Sequence, residues 1–112
     1  MSWKKEIKKR ETYSDDKKMD LIHIAERYGY LEGAETAEIM KIFNKPDNLF
    51  DAWVDDMIDL YAHWYNEARR TRNPTEEQTR LFGWTKEQNE ETIRDMTNAF
   101  AELKRLVPSK LR

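Results

Sequence analysis

The sequence has no cysteine among its 112 residues, and it has only three glycines and three prolines. The lack of cysteine excludes disulfides, thiolate zinc ligands and a cysteine nucleophile. Three glycines are too few for the glycine-rich loop that holds phosphates in many nucleotide-binding proteins. No apolar run approaches the roughly 20 residues that a membrane span requires, and the N-terminus lacks the apolar stretch of a signal peptide. We therefore expect a cytoplasmic protein that does not enter a membrane.

What the chain does contain is charge and large apolar side chains. Charged residues and hydrophobic residues each make up 38% of the sequence, and aromatic residues make up 12%, which favours a folded chain over a disordered one. The length suits one domain formed by residues 1–112. The net charge is only −2, but residues 20–67 carry eleven acidic and three basic side chains. The basic surface typical of nucleic-acid binding is absent, so we do not expect nucleic acid as a partner.

The periodicity of apolar residues predicts helices throughout. No segment alternates apolar and polar residues as a half-buried strand does, so we expect an all-α fold: a small antiparallel bundle of three to four main helices. Residues 1–13, with the basic stretch KKEIKKR, are predicted to form a short N-terminal helical arm that is free to move. Ser14 is predicted to cap the first main helix, which ends near Gly29. A further helix is predicted over residues 32–43, with the sequence EGAETAEIMKIF.

Capping residues mark the remaining helices. Asp47 is predicted to cap a long helix over residues 48–70, and Asn73 is predicted to cap a short helix after it. Thr85 begins a capping box for the last helix, which Pro108 ends.

The long helix carries five side chains of metal-binding type at a spacing of four residues: Asp51, Asp55, Asp59, His63 and Glu67. They lie outside an apolar face that covers an arc of roughly 140° on a helical wheel. At 1.5 Å per residue the row spans about 24 Å, which is too long for one ion. We interpret the row as the solvated side of a core helix, on which Asp59 and His63 are the best neighbouring pair of ligands.

A second acidic cluster lies in the helix predicted over residues 32–43. Glu32, Glu35 and Glu38 recur at a spacing of three within an arc of about 120°. Apolar residues surround them, and a helix that is apolar nearly all round is expected to be buried. Carboxylates brought together in this way require a compensating cation. That cation is a metal ion, or else Arg27, Lys41 or a lysine of the N-terminal arm.

The segment EGAETAEIM, followed further along the chain by DDMIDLYAHW, resembles the pattern of the all-α nucleoside triphosphate pyrophosphatases of the MazG and phosphoribosyl-ATP pyrophosphatase superfamily. In that family two acidic helices face each other and hold Mg²⁺ against a nucleotide's phosphates. The resemblance implies Mg²⁺-dependent hydrolysis of a nucleoside triphosphate between its α- and β-phosphates. Carried over by position, the resemblance implies these metal ligands: Glu32, Glu35, Glu38, Asp56 and Asp59.

The position of Asp59 adds a condition to this hypothesis. Because Asp59 lies almost opposite the apolar face of its helix, another helix or a second subunit must cover it before it can belong to a cleft. Members of the family commonly assemble, so the resemblance also implies a homo-oligomer.

A function of a different class stays open. The chain also suits a non-catalytic small helical interaction protein, such as an adaptor, a regulatory subunit or an inhibitor from a phage or mobile element, with an acidic binding face. The two hypotheses make different demands on the carboxylates. An enzyme requires them within a few ångströms of a shared ion, whereas a binding protein requires them spread over an exposed surface.

Overall fold

The computed structural model describes residues 12–111, and all regular secondary structure in this range is helical. The elements are α1 (Asp15–Arg27), α2 (Thr36–Phe43), α3 (Asp47–Arg70), α4 (Glu76–Phe82), α5 (Lys86–Leu106) and a 3₁₀ turn (Pro108–Lys110). No strand occurs between residues 12 and 111, so the predicted all-α class is confirmed. Most of the predicted N-terminal arm, residues 1–11, lies outside the described residues. Among the described helices, none is long and apolar enough to cross a bilayer.

The hydrophobic core lies between α1, α3 and α5. Helix α3 packs along α5, and α1 contacts both α5 and α2. The apolar faces predicted for these helices supply most of the buried side chains, which are Leu21, Ile22, Ile24, Ala25, Phe50, Val54, Met57, Tyr61, Met96, Ala99 and Leu103. Tyr13, at the end of the predicted arm, is part of the same core, and its ring centroid lies 4.9 Å from that of Phe50.

The predicted start of α1 and the predicted end of α5 are confirmed, and the start of α3 shifts by one residue. The Ser14 hydroxyl accepts a hydrogen bond from the Lys17 backbone N–H at 3.2 Å, as expected of an N-cap. Pro108 follows the end of α5 and opens the 3₁₀ turn. At α3, Pro46 takes the N-cap position and Asp47 is the first helical residue. The carboxylate of Asp47 therefore lies in the first turn, where the helix dipole favours negative charge.

Helix α4 begins later than predicted, because Thr75 and not Asn73 caps it. The Thr75 hydroxyl accepts from the Gln78 backbone N–H at 3.1 Å, and the Gln78 side chain accepts from the Thr75 backbone N–H at 3.0 Å. This capping box satisfies two backbone N–H groups at once. Gly83 ends α4 with a φ of 70°, in the left-handed region that glycine adopts without strain.

The helix predicted over residues 32–43 is shorter than expected. Helix α2 begins at Thr36, because Gly33 adopts a φ of 73° and the Ala34 N–H bonds to the Leu31 carbonyl at 3.2 Å in a turn. The expected burial of this helix is also wrong, since none of its eight residues is buried.

Helix α2 is held at its C-terminal end by a lysine of α1. The Lys18 ammonium group donates to the backbone carbonyls of Phe43 at 3.3 Å and Lys45 at 3.1 Å. Because the last carbonyls of a helix have no partner within it, the bond to Phe43 caps the end of α2, and the two bonds together position α2 against α1.

Candidate functional site

The five residues implied as metal ligands are all exposed, and they lie on three different segments. Glu32 lies in the turn after α1, and Glu35 and Glu38 lie at the start of α2, while Asp56 and Asp59 lie on α3. The expectation that the three glutamates share one helical face is wrong, because α2 begins only at Thr36. Within residues 12–111, no three His, Cys, Asp or Glu side chains lie close enough together to hold a metal ion.

Arg27, one of the cations expected near the three glutamates, pairs instead with Glu102. The Arg27 guanidinium donates to one carboxylate oxygen of Glu102 on α5 at 2.7 Å, and the Tyr28 hydroxyl donates to the other at 2.8 Å. Burial alone would raise the pKa of Glu102, but the hydrogen bonds from Tyr28 and Arg27 outweigh it and lower that pKa. The same contacts fix the end of α1 against α5.

The row of ligand-type side chains on α3 divides into two parts. Asp51 is buried, with 7% of its surface exposed, so its assignment to the solvated side is wrong. Its carboxylate accepts from the Tyr13 hydroxyl at 2.5 Å and lies 3.1 Å from the Lys110 ammonium nitrogen. Lys110 also donates to Asp55 at 2.6 Å. We call these four residues the Asp51 clamp. Further along the row, Asp59 and His63 are exposed, as predicted.

The electrostatics of the clamp favour the ionised pair. Burial by itself would lower the pKa of Lys110, but the hydrogen bonds to Asp55 and Asp51 raise it above its ordinary value. The clamp joins segments from both ends of the described chain to the first turns of α3, so its role is structural.

A concave surface lies elsewhere in the described part of the chain, between the turn after α1, the second half of α3 and the first half of α5. It is a groove of about 510 Å³. Two tryptophans and three carboxylates line it together with smaller residues: Glu32, Trp64, Glu67, Trp84 and Asp95. We call it the Trp64–Trp84 groove. Glu32 is therefore the implied metal ligand that belongs to this surface.

Local contacts explain the position of each groove wall. Gly29, with a φ of 93°, turns the chain after α1 and brings its backbone next to the Trp64 ring. A Cβ added at Gly29 would lie 3.9 Å from that ring, which is an ordinary contact distance. Asn89 joins α5 to the end of α3, because its amide nitrogen donates to the Thr71 carbonyl at 2.6 Å and to the Thr71 hydroxyl at 3.1 Å. Trp84 stacks on Phe82 with a centroid separation of 4.8 Å.

The groove carries negative charge. Glu67 pairs with Arg70 on its own helix, whereas the described residues that line the groove include no lysine or arginine. No pattern in the sequence predicted the groove or singled out Trp64 and Trp84. The high content of aromatic residues was the one signal in the sequence that pointed towards a binding surface. No local pattern indicates that three separate segments of the chain meet to form the groove.

Comparison of the chain with protein-family models, with curated proteins and with solved structures found no match. Its function is therefore inferred from its own residues and their arrangement.

Proposed function

We propose that this protein is a small, non-catalytic helical interaction protein that binds a positively charged partner protein through its acidic face. We use the name acidic face for the exposed carboxylates of Glu35, Glu38, Asp56 and Asp59. The observation that carries the proposal is that all four carboxylates are exposed, two at the start of α2 and two on α3. A binding surface requires such exposure. None of the four lines the Trp64–Trp84 groove.

The physical basis of the proposal is long-range attraction. Exposed carboxylates of one sign create a negative potential that steers a basic partner and aligns it before contact. Each exposed ion pair adds little affinity, so binding of this kind depends on several charges acting together. It also weakens as the ionic strength rises, because salt screens exposed charges beyond about 10 Å.

The test is binding of fluorescein-labelled poly-L-lysine, followed by fluorescence anisotropy at low and at physiological ionic strength. In the test variant all four residues of the acidic face are neutralised, by Glu35→Gln, Glu38→Gln, Asp56→Asn and Asp59→Asn. We expect about tenfold weaker binding at low salt and a smaller dependence on salt.

A matched control variant removes four exposed carboxylates from α4 and α5, by Glu76→Gln, Glu77→Gln, Glu90→Gln and Glu91→Gln. Both variants have the same net charge. Equal weakening in the two variants would show that net charge and not the acidic face determines binding, and the proposal would fail.

Mg²⁺-dependent nucleoside triphosphate pyrophosphohydrolysis stays a second proposal. One observation supports it: the pKa of Tyr30, in the turn that also holds Glu32, is raised by burial and, to a smaller extent, by the charge of Asp56. Glu35, Glu38 and Asp59 complete the implied ligand set, and a second copy of the chain would bring carboxylates to the same ion.

The enzyme proposal is tested with a panel of nucleoside triphosphates and Mg²⁺, with detection of the monophosphate and pyrophosphate. Turnover that Asp56→Asn abolishes would support it. No turnover, together with no rise in melting temperature on adding Mg²⁺, would discard it, because an ion that binds only the folded state stabilises that state.

We also propose that the three core helices run antiparallel as a bundle, that the protein is cytoplasmic and that it forms homo-oligomers. Support for assembly comes from four large apolar side chains that are exposed in the single chain, namely Met40, Leu49, Leu81 and Phe82. Exposed apolar surface of this kind often marks an interface. Light scattering after size-exclusion chromatography measures the mass, and a monomer at high concentration would contradict the proposed assembly.

A further inference from the structure

The Trp64–Trp84 groove has the size and the composition of a ligand site. Its volume of about 510 Å³ falls within the range of small-ligand pockets. Its carboxylates come from three separate segments: Glu32 from the turn after α1, Glu67 from α3 and Asp95 from α5. Because these residues are distant in sequence and converge only in the fold, their carboxylates line one space, in which Glu67 is already paired with Arg70.

The polar side chains of the groove offer acceptors, while their donors are used within the protein. The Thr71 hydroxyl donates to the Glu67 carbonyl at 2.8 Å, and the Thr92 hydroxyl donates to the Gln88 carbonyl at 3.0 Å. The Asn89 amide nitrogen donates to Thr71, which leaves the Asn89 carbonyl oxygen to accept. These acceptors are half-buried, and a ligand rich in N–H donors complements them.

The aromatic residues restrict the ligand further. Phe82 covers one face of the Trp84 indole, with an angle of 29° between the two rings. Trp64 contributes a second indole to the groove. The faces of indole rings attract cations, and the attraction is strongest for tryptophan among the aromatic residues. Indole rings beside carboxylates therefore favour a planar organic cation.

We propose that the Trp64–Trp84 groove binds an arginine side chain of the partner protein. Guanidinium stacks on aromatic rings while its five N–H groups bond to carboxylates in a fork, and it is more weakly hydrated than the ammonium group of lysine. This inference rests on the proposed function, because it identifies the group on the positively charged partner that the protein recognises. The acidic face attracts the partner, and the groove selects arginine.

The probes are three acetylated and amidated pentapeptides, Gly-Gly-X-Gly-Gly, in which X is arginine, lysine or citrulline. Citrulline keeps the planar shape of arginine and replaces the charged guanidinium by a neutral urea. The chain of 112 residues is labelled with ¹⁵N, and its four tryptophan indole N–H signals are followed during titration. Trp53, which packs on Tyr30 and Phe50, does not line the groove and serves as an internal control.

We expect the arginine peptide to shift the signals of Trp64 and Trp84 and to leave that of Trp53 unchanged. The citrulline peptide should bind at least about tenfold more weakly than the arginine peptide. The affinity of the lysine peptide should lie between those of the other two. Citrulline binding equal to that of arginine would overturn the proposal. Lysine binding as tight as that of arginine would overturn the assignment of guanidinium.

Two variants test the residues. Asp95→Asn and Trp84→Leu should each weaken binding of the arginine peptide at least about threefold, measured at the Trp64 signal. Glu91→Gln removes an exposed carboxylate of the same helix outside the groove and should leave the affinity unchanged. Asp95→Asn keeps nearly the same volume, so an affinity equal to that of the unmodified chain would contradict a role for this carboxylate.

The outcomes separate this inference from the proposed function. If poly-L-lysine binding depends on the acidic face but the arginine peptide leaves the indole signals unshifted, the groove proposal fails and the proposed function stands. If the arginine peptide binds in the groove but neutralising the acidic face has no selective effect, the groove proposal stands and the proposed function fails.

Discussion

Replacing Lys110 by methionine should destabilise the protein by about 2 kcal/mol at pH 7. Methionine keeps most of the apolar length of the side chain and removes its charge. The substitution leaves Asp51 buried without its cation, while the hydrogen bond from Tyr13 to Asp51 stays. Asp55, with 52% of its side chain exposed, is returned to water at little cost.

The magnitude follows from the burial of each partner. Removing one member of a fully buried ion pair costs about 3–5 kcal/mol, because the other charge is left without compensation. In the clamp, the Lys110 and Asp51 side chains are 9% and 10% exposed, so the pair lies close to that limit. The remaining bond from Tyr13 reduces the cost, which gives the value of about 2 kcal/mol. A loss of this size corresponds to a fall in melting temperature of about 8 °C.

The free energy of unfolding is measured by urea denaturation, followed by circular dichroism at pH 7. Lys104→Met is the matched control, because Lys104 is an exposed lysine near the end of α5, and its loss should cost less than about 0.5 kcal/mol. A cycle with Asp51→Asn then isolates the interaction. The double variant should lose less stability than the sum of the single variants, because neither charge is left buried alone.

The pH dependence supplies the refuting result. Since the pKa of Lys110 is raised in the folded state, the clamp is fully stabilising below the ordinary lysine pKa of 10.5 and loses its contribution as the pH rises through the folded value. Unmodified protein should therefore lose stability above pH 10.5 by a larger amount than Lys110→Met. Parallel stability curves in this range, or strictly additive losses in the cycle, would show that the clamp does not couple these residues.

Three further substitutions have distinct expected outcomes. Glu102→Gln should remove about 1 kcal/mol at pH 7. Because the folded-state pKa of Glu102 is lowered, its contribution is present above the ordinary glutamate pKa of 4.5 and lost as the pH falls through the folded value, so acid unfolding curves of the variant and the unmodified protein should converge below pH 4.5. Thr75→Ala should cost about 1 kcal/mol locally and speed amide exchange in α4 more than in α5, and equal exchange in both would contradict the role of the cap. Gly29→Ala should cost about 1 kcal/mol or more, because its φ of 93° strains any other residue, and an unchanged Trp64 indole signal and melting temperature would refute this.

The parts of the fold that the sequence predicted are those determined by local interactions. The Ser14 cap, the stop at Pro108 and the apolar faces of α3 and α5 each depend on residues within a few positions of one another. Where two local signals competed, the prediction failed. Asn73 was chosen as the cap of α4, but Thr75 with Gln78 forms a reciprocal pair of hydrogen bonds that a single side chain does not match.

The parts that could not be predicted depend on distant segments. Asp51 has the spacing of a solvated side chain, and its burial results from Tyr13 and Lys110, which are 38 and 59 positions away. The groove likewise combines three segments whose separation along the chain hides their proximity. The prediction that the three glutamates share one helical face failed for a different reason. Gly33 adopts a left-handed conformation, so α2 begins four residues later than predicted and the residues before Thr36 are not helical.

The clamp also brings two remote stretches of backbone to one place. Tyr13 and Lys110 both reach the same carboxylate, so the first and last described residues lie near each other at the beginning of α3. Two stretches of backbone that lie close together can be joined by a linker, as in a circular permutation. A short linker from residue 111 to residue 12, with new ends opened in the exposed stretch at residues 72–73, should preserve the helical packing of residues 12–111. Fusion tags on the new ends would lie beyond the C-terminal end of α3, away from the clamp at its N-terminal end.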